Sequence, residues 1–351
     1  MADEARAITP SRVTEVLRSR HPEVECAAVE VIDETNGSAS RLRLGLTYAP
    51  GRSGGLPEKM FLKRNLETFS FPTEMYSNEI YFYRDASTSV DIETPLVYGL
   101  EFDEAATRFW ILMEDLSLRD GVRIGICTDH TTTDEVASVL STLARLHAPL
   151  FDSPRLATDF PWLRTPLDDP SSQFWRKIGP RLTEKHLAKG HRAGMVDQTR
   201  WPYDKLWAAF ERLNEVNSAA PHAMLHGDVH AGNVYYVAGA AGGVLDWQLM
   251  VKGNVALDVT YVISTALTPE DRRTHERDLV AGYQRELTAL GAVPAPTFDD
   301  LWLAYRQNIL WGVMMWLITP NGVHSDLVQN TSLERGLIAG EQLDTLKSLG
   351  Q

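Results

Sequence analysis

Cysteine is nearly missing from this chain. Its 351 residues carry two, Cys26 and Cys127. That excludes a disulfide framework and a cysteine-based zinc site, and it fits a reduced compartment. Long apolar runs are missing too. The most apolar stretch, ILWGVMMWLI at 309–318, is too short to span a bilayer. The opening MADEARAITP has no apolar core of the kind a secretory leader needs. A cytoplasmic chain with no membrane partner is therefore expected. Basic charge is in deficit, with 34 Lys and Arg against 47 Asp and Glu, a net charge of -13. General nucleic-acid binders present the opposite sign, so no nucleic-acid partner is expected, while a cationic substrate is permitted. Internal repeats and low-complexity tracts are absent.

What is present is ordinary globular material, 44% hydrophobic and 23% charged, long enough for two domains or one large two-lobed one. In the first third, Thr9 followed by Pro10 reads as the start of a short helix. CAAVEVID (26–33) reads as a strand, TNGSAS breaks it, and RLRLGLTYA resumes with period-two alternation. GRSGGLPE (51–58) is turn chemistry, and KMFLKRN is another short strand. Residues 72–87 have helical spacing, with Met75, Ile80 and Tyr83 inward. RFWILMED (108–115) is an apolar strand ending in two acids. This predicts a small sheet carrying one helix. Beyond about residue 117 the pattern turns helical. Thr132 and Glu135 have the form of a capping box, and Val136, Val139, Leu140, Leu143 and Leu146 share one face. Residues 203–216 and the span from Phe298 to Thr319 are further helices. Trp302, Tyr305, Trp311 and Trp316 in the latter read as packing residues rather than a cage for a cation. The basic stretch 173–200 reads as a solvated helix face. The class is α+β, with a small lobe at 1–113, a hinge at 114–117 and a larger helical lobe at 118–351.

One stretch stands out chemically, HGDVHAGN at 226–233. Taken as a metal site, it offers His226, Asp228 and His230, but the remaining histidines are scattered and complete no ligand set. Taken as a polar surface loop, it has the wrong surroundings. It leaves an apolar segment and runs into VYYV and GVLD, two short strands joined by a Gly/Ala turn, with Asp246 closing the second. Taken as a phosphotransferase loop, it has what phosphoryl transfer requires. Asp228 orients the attacking hydroxyl, and the Asn233 amide and the Asp246 carboxylate hold Mg²⁺ against the phosphates.

With these residues on view, the chain resembles the aminoglycoside phosphotransferase and choline kinase superfamily, which has the two-lobed protein-kinase-like fold. HGDVHAGN and VLDWQ carry the likeness, and further parts follow in order over roughly residues 25–265. The resemblance implies that Lys63 in FLKRN meets nucleotide phosphates and that Glu79 in NEIYFY orients it. It implies that the Glu114 carbonyl and the Leu116 amide in ILMEDL meet the adenine, that Asp258 in ALDVTYVI braces the catalytic loop, and that His226 holds that loop through its ring. The phosphate-covering loop, ETNGSASRLRL, departs from the pattern in having one glycine. The amides around Gly37 and Ser38 take that role because small residues allow close approach. Gly227 replaces an arginine of the protein kinases, and Trp247-Gln248 replace Phe-Gly. The short span from Asp246 to Asp258 leaves no room for a protein docking segment. These changes point to a small-molecule hydroxyl as acceptor, with ATP and Mg²⁺, and the Trp-Gln pair is similar to the ecdysteroid-kinase-like branch. A non-catalytic nucleotide-binding protein of the same fold and a His/Asp metal-dependent hydrolase are the alternatives. His230 reads equally as a substrate neighbour and as a solvated side chain.

Overall fold

The structure is a computed structural model that describes residues 7–36, 39–65 and 72–351. The chain divides into two compact units. One comprises Met1–Ser87 and Thr94–Asp120, the other Thr88–Glu93 and Gly121–Gln351.

The first unit is built on an antiparallel five-stranded sheet in the order β1-β2-β3-β5-β4. Its strands are β1 (Cys26–Asn36), β2 (Ala39–Tyr48), β3 (Lys59–Asn65), β4 (Val97–Asp103) and β5 (Arg108–Met113). Alternation on β2 buries Leu42, Leu44 and Leu46 and turns Arg41 and Arg43 outward. Those leucines meet Val13, Val16 and Leu17 from the helix Pro10–Arg18. Thr9 caps that helix, its Oγ1 accepting from the Arg12 amide at 3.2 Å. Truncating a fully buried core leucine such as Leu44 would cost about 2–5 kcal/mol. The helix Thr73–Tyr81, continued by a π-turn at Phe82–Ala86, buries Met75, Ile80 and Tyr83 as expected. β4 was not foreseen. It is an edge strand with one buried residue, and its Glu101 and Asp103 blur the alternation. The break between β1 and β2 is also shorter than TNGSAS suggested, because pairing extends to Asn36 and Ser40.

The second unit is mainly helical. The helix Thr133–His147 starts with the expected capping box. Glu135 N donates to Thr132 Oγ1 at 3.2 Å, and Thr132 N donates to Glu135 Oε2 at 2.8 Å. The helix Phe298–Ile318 runs through the core against the helices Ala256–Ala266 and Asp326–Gln342. Tyr305, Trp311 and Trp316 are buried packing residues. Trp302 is only half-buried and lies between Tyr305, at 5.1 Å, and the guanidinium of Arg277, at 4.6 Å. Short strands β6 (Val122–Ile124), β7 (Ala223–Leu225), β8 (Val234–Val237), β9 (Gly243–Val244) and β10 (Val251–Gly253) form two small sheets, β6-β8-β9 and β10-β7.

The basic stretch is only partly a solvated face. Lys177, Arg181, Lys185 and Lys189 are exposed, but His186 and Arg192 are buried. Arg192 Nη1 donates to the carbonyls of Trp316 at 2.6 Å and Thr319 at 2.9 Å, and His186 Nδ1 lies 2.7 Å from that of Leu317. They satisfy the orphan carbonyls at the end of the helix Phe298–Ile318, where a cation also complements the helix dipole. Burial pulls Arg192 down to about 10. Among the described residues no helix is long and apolar enough to cross a membrane.

Candidate active site

In the first unit, β3 and the helix Thr73–Tyr81 bring Lys63 and Glu79 together. Lys63 Nζ lies 2.6 Å from Glu79 Oε2, and both side chains are almost fully buried. Glu74, on the same helix, stays half-exposed. Desolvation makes such a buried pair a poor source of net stability. At the expected hinge, the Glu114 amide donates to the Leu96 carbonyl at 2.8 Å, and Leu116 opens a 3-10 turn. Among the described residues, the Glu114 carbonyl and the Leu116 amide have no backbone partner. Gly37 and Ser38 lie outside the described residues.

In the second unit, the loop after β7 hangs from a buried carboxylate. Asp258, fully buried in the first turn of its helix, accepts from the His226 amide at 2.7 Å and the Gly227 amide at 2.9 Å. His147 Nε2 lies 3.1 Å from the same carboxylate, and its Nδ1 lies 2.6 Å from the Tyr283 hydroxyl. Burial and the neighbouring Asp258 push the Tyr283 phenol up, so it stays a donor. The His226 ring is spent within the loop. Its Nδ1 accepts from the Asp228 amide at 3.2 Å, and its Nε2 donates to the Leu245 carbonyl at 3.0 Å. With both nitrogens engaged, His226 is not disposed to ligate a metal, which disfavours the hydrolase alternative.

Gly227 has φ +80, and a Cβ there would stand 2.0 Å from the Leu249 carbonyl oxygen. No other residue type fits that close approach without moving the backbone. The Asn233 amide nitrogen then donates to the Asp228 carbonyl at 2.9 Å and to its Oδ2 at 3.1 Å. The hairpin β8–β9 pairs Val234 with Val244, and Leu245 N donates to the Asn233 carbonyl at 3.0 Å. Asp246 therefore follows directly on a residue bonded to Asn233. It adopts a left-handed backbone, φ 69, which aspartate tolerates better than most residues. Trp247 is buried 4.7 Å from the His226 ring and pins the turn.

For a divalent cation the donor chemistry fits. Asn233 spends its Nδ2 on Asp228, which leaves its amide oxygen, and the next donor along the hairpin is the Asp246 carboxylate. Two hard oxygens, completed by phosphate and water, suit Mg²⁺. His230 is not solvated. It is 6% exposed, with Nδ1 accepting from the Gly232 amide and Nε2 4.0 Å from Asp228 Oδ2, and its ring meets Trp316 at 5.1 Å and His324 at 5.6 Å.

Two supporting residues went unassigned in the sequence, His147 and Thr265. Thr265 Oγ1 accepts from the Ala231 amide at 2.9 Å. His147 had a readable signal, since it continues the buried stripe through Val136, Leu140 and Leu143, where a polar residue needs a partner. Thr265 had none.

The antiparallel sheet with its buried lysine and the helical unit with its braced loop together define a protein-kinase-like α+β fold. Residues 47–294 match the model of the phosphotransferase enzyme family, and the chain belongs to that family. An uncharacterized kinase-like protein of Caenorhabditis elegans is 20% identical over 177 residues, which cover 50% of this chain and 46% of that protein. The chain thus matches about half the length of that curated relative. A candidate aminoglycoside phosphotransferase of Ralstonia eutropha is 14% identical, over 95% of this chain and 97% of that one, with a TM-score of 0.55. A choline/ethanolamine kinase family protein of Mesorhizobium loti is 13% identical over 97% of each chain, with a TM-score of 0.52. At these identities the two solved structures carry the fold.

Proposed function

We propose that this protein transfers the γ-phosphate of ATP, with Mg²⁺, to a hydroxyl of a small molecule. The observation that carries this reading is the bracing of the loop. Asp258 holds two consecutive amides ahead of Asp228, and Asn233 holds Asp228 itself, so the carboxylate is fixed while its side chain stays 22% exposed. Asp228 accepts the hydrogen bond of the acceptor hydroxyl and takes its proton as the oxygen attacks. The new O–P bond forms as the bond from the γ-phosphorus to the bridging oxygen breaks, and ADP leaves. Asn233 and Asp246 hold Mg²⁺, which neutralises phosphate charge when bound. Lys63, fixed by Glu79, contacts the phosphates, and the Glu114 carbonyl and Leu116 amide meet the adenine. Catalysis rests on positioning and charge neutralisation.

The segment after Asp246 supports a small acceptor rather than a protein. It is a 3-10 turn, β10 and then a helix, packed tightly, with Trp247 and Gln248 buried. The test is ADP release with Mg²⁺ across sterols, aminoglycosides, choline, sugars and hydroxy acids, with Asp228→Asn as control. Turnover on one class that vanishes in the variant is the expected result. Tight ATP binding without turnover on any class would favour a nucleotide-binding protein instead.

A further inference from the structure

The hairpin β8–β9 carries both donors assigned to Mg²⁺. Asn233 stands directly before its first strand, and Asp246 stands two residues beyond the end of its second. Glu93, from a separate segment of the same unit, bonds to both strands. Its carbonyl accepts from the Val244 amide at 3.1 Å. Its side-chain Oε1 accepts from the Tyr235 hydroxyl at 2.7 Å. Tyr235 lies two residues after Asn233, and Val244 lies two residues before Asp246. Each bond is thus no more than about 7 Å along the chain from one donor.

The surroundings suit a clamp. Tyr235 is fully buried, and a buried phenol calls for a hydrogen-bond partner. A carboxylate is a strong one, because a charge-assisted bond is about twice as strong as a neutral bond. Gly243 pairs with Tyr235 across the hairpin, and a Cβ on it would stand 2.1 Å from the Tyr235 Cζ. The glycine lets the ring lie against the partner strand. β9 is the edge of its small sheet, and the Glu93 carbonyl occupies that edge at Val244. From the other side, Leu245 N donates to the Asn233 carbonyl at 3.0 Å. The approach to Asp246 is therefore held on both flanks.

Mg²⁺ demands near-ideal octahedral geometry, so its affinity depends on how closely its donors are held. Resting on the phosphotransferase reading, we propose that Glu93 is a positioning residue for the divalent cation. Its two bonds fix the strands of the hairpin. The Asn233 amide oxygen and the Asp246 carboxylate then stand at the spacing that one Mg²⁺ takes. Groups that hold metal ligands in this way commonly matter about 10- to 100-fold in metal affinity.

The test measures binding, not turnover. The probe is the Mn²⁺ complex of β,γ-imido-ATP, an analogue that transfers no γ-phosphate. The full chain is titrated into it, and binding is read from water-proton relaxation, which Mn²⁺ on the protein enhances. Tyr235→Phe keeps the ring and removes only the hydroxyl. This variant and Glu93→Ala should each raise the Kd of the complex about tenfold. The double variant should be no weaker than either alone, because the two residues act through one bond. Glu93→Gln keeps an acceptor oxygen without the charge and should stay within about threefold of wild type. The Kd of the analogue without metal should not move in any variant. Unchanged affinity for the complex in Tyr235→Phe would overturn the proposal. So would Glu93→Gln as weak as Glu93→Ala, since the charge and not the clamp would then be at work. An equal loss of affinity for the metal-free analogue would overturn it as well, by showing a general loss of structure. Failure of the underlying reading looks different. Wild type that binds no Mn²⁺ complex, or Asp246→Ala that binds it as tightly as wild type, would bring down the phosphotransferase reading and this inference with it.

Discussion

Lys63 and Asp228 are each held by a buried acid, but in opposite ways. Glu79 touches Lys63 directly, at 2.6 Å. Asp258 holds Asp228 without touching it, through the amides of His226 and Gly227. In the first unit one side chain neutralises another, so the arrangement stands or falls with a charge pair. In the second, a carboxylate fixes backbone, so the arrangement depends on geometry that several residues share. The direct pair should therefore fail in stability when broken, and the indirect brace should fail in rate.

The largest effect should come from Lys63→Met. It removes the ammonium that lies 2.6 Å from the buried Glu79 carboxylate, at a cost of about 3–5 kcal/mol. Urea unfolding should show that loss, and the double variant Lys63→Met, Glu79→Leu should recover most of the stability but none of the nucleotide affinity. Asp258→Asn comes next. It keeps one acceptor but turns an amide NH₂ toward the loop's own donors. We expect kcat to fall about 100-fold, the cost of a small misplacement of Asp228, with the Kd for ATP nearly unchanged. If ATP affinity falls as far as kcat, the brace is not specific to the loop. Gly227→Ala should cost about 1–3 kcal/mol in thermal unfolding, because its φ of +80 and the Leu249 carbonyl leave no room for a Cβ.

The smallest effect is a pH dependence. Burial, opposed by the Leu317 carbonyl and reinforced by Arg192, Lys185 and His191, lowers the His186 pKa below its ordinary value. The folded state therefore binds this proton less readily than the unfolded chain does. The contribution is fully present above the ordinary histidine pKa and is lost as pH falls through the depressed one. His186→Gln should flatten the slope of stability against pH on the acid side of that value, measured by denaturant midpoints.

Much of this was legible because the chemistry is local in sequence. Asp228 and Asn233 share one loop, Asp246 lies one hairpin on, and the capping box at Thr132 announced its helix. The pairing of Lys63 with Glu79 came from the family resemblance, with spacing along the chain favouring Glu79 over Glu74. What escaped was long-range or short. β6, β7 and β10 have three residues each, too few for alternation to register. Arg192 and His186 looked like members of a solvated face because their partners are carbonyls at 316–319, far along the chain. His230 stayed open between a substrate neighbour and a solvated side chain because Trp316 and His324, which cover it, come from the end of the core helix and beyond.

The most direct test of the central claim is ³¹P NMR of the wild-type protein and of Asp228→Asn with ATP, Mg²⁺ and the acceptor panel. We predict a phosphomonoester resonance with wild type and its formation slowed about 100- to 10,000-fold in the variant, the range expected for a lost general base, with ATP binding intact. A phosphomonoester that forms equally fast in both proteins would contradict the account.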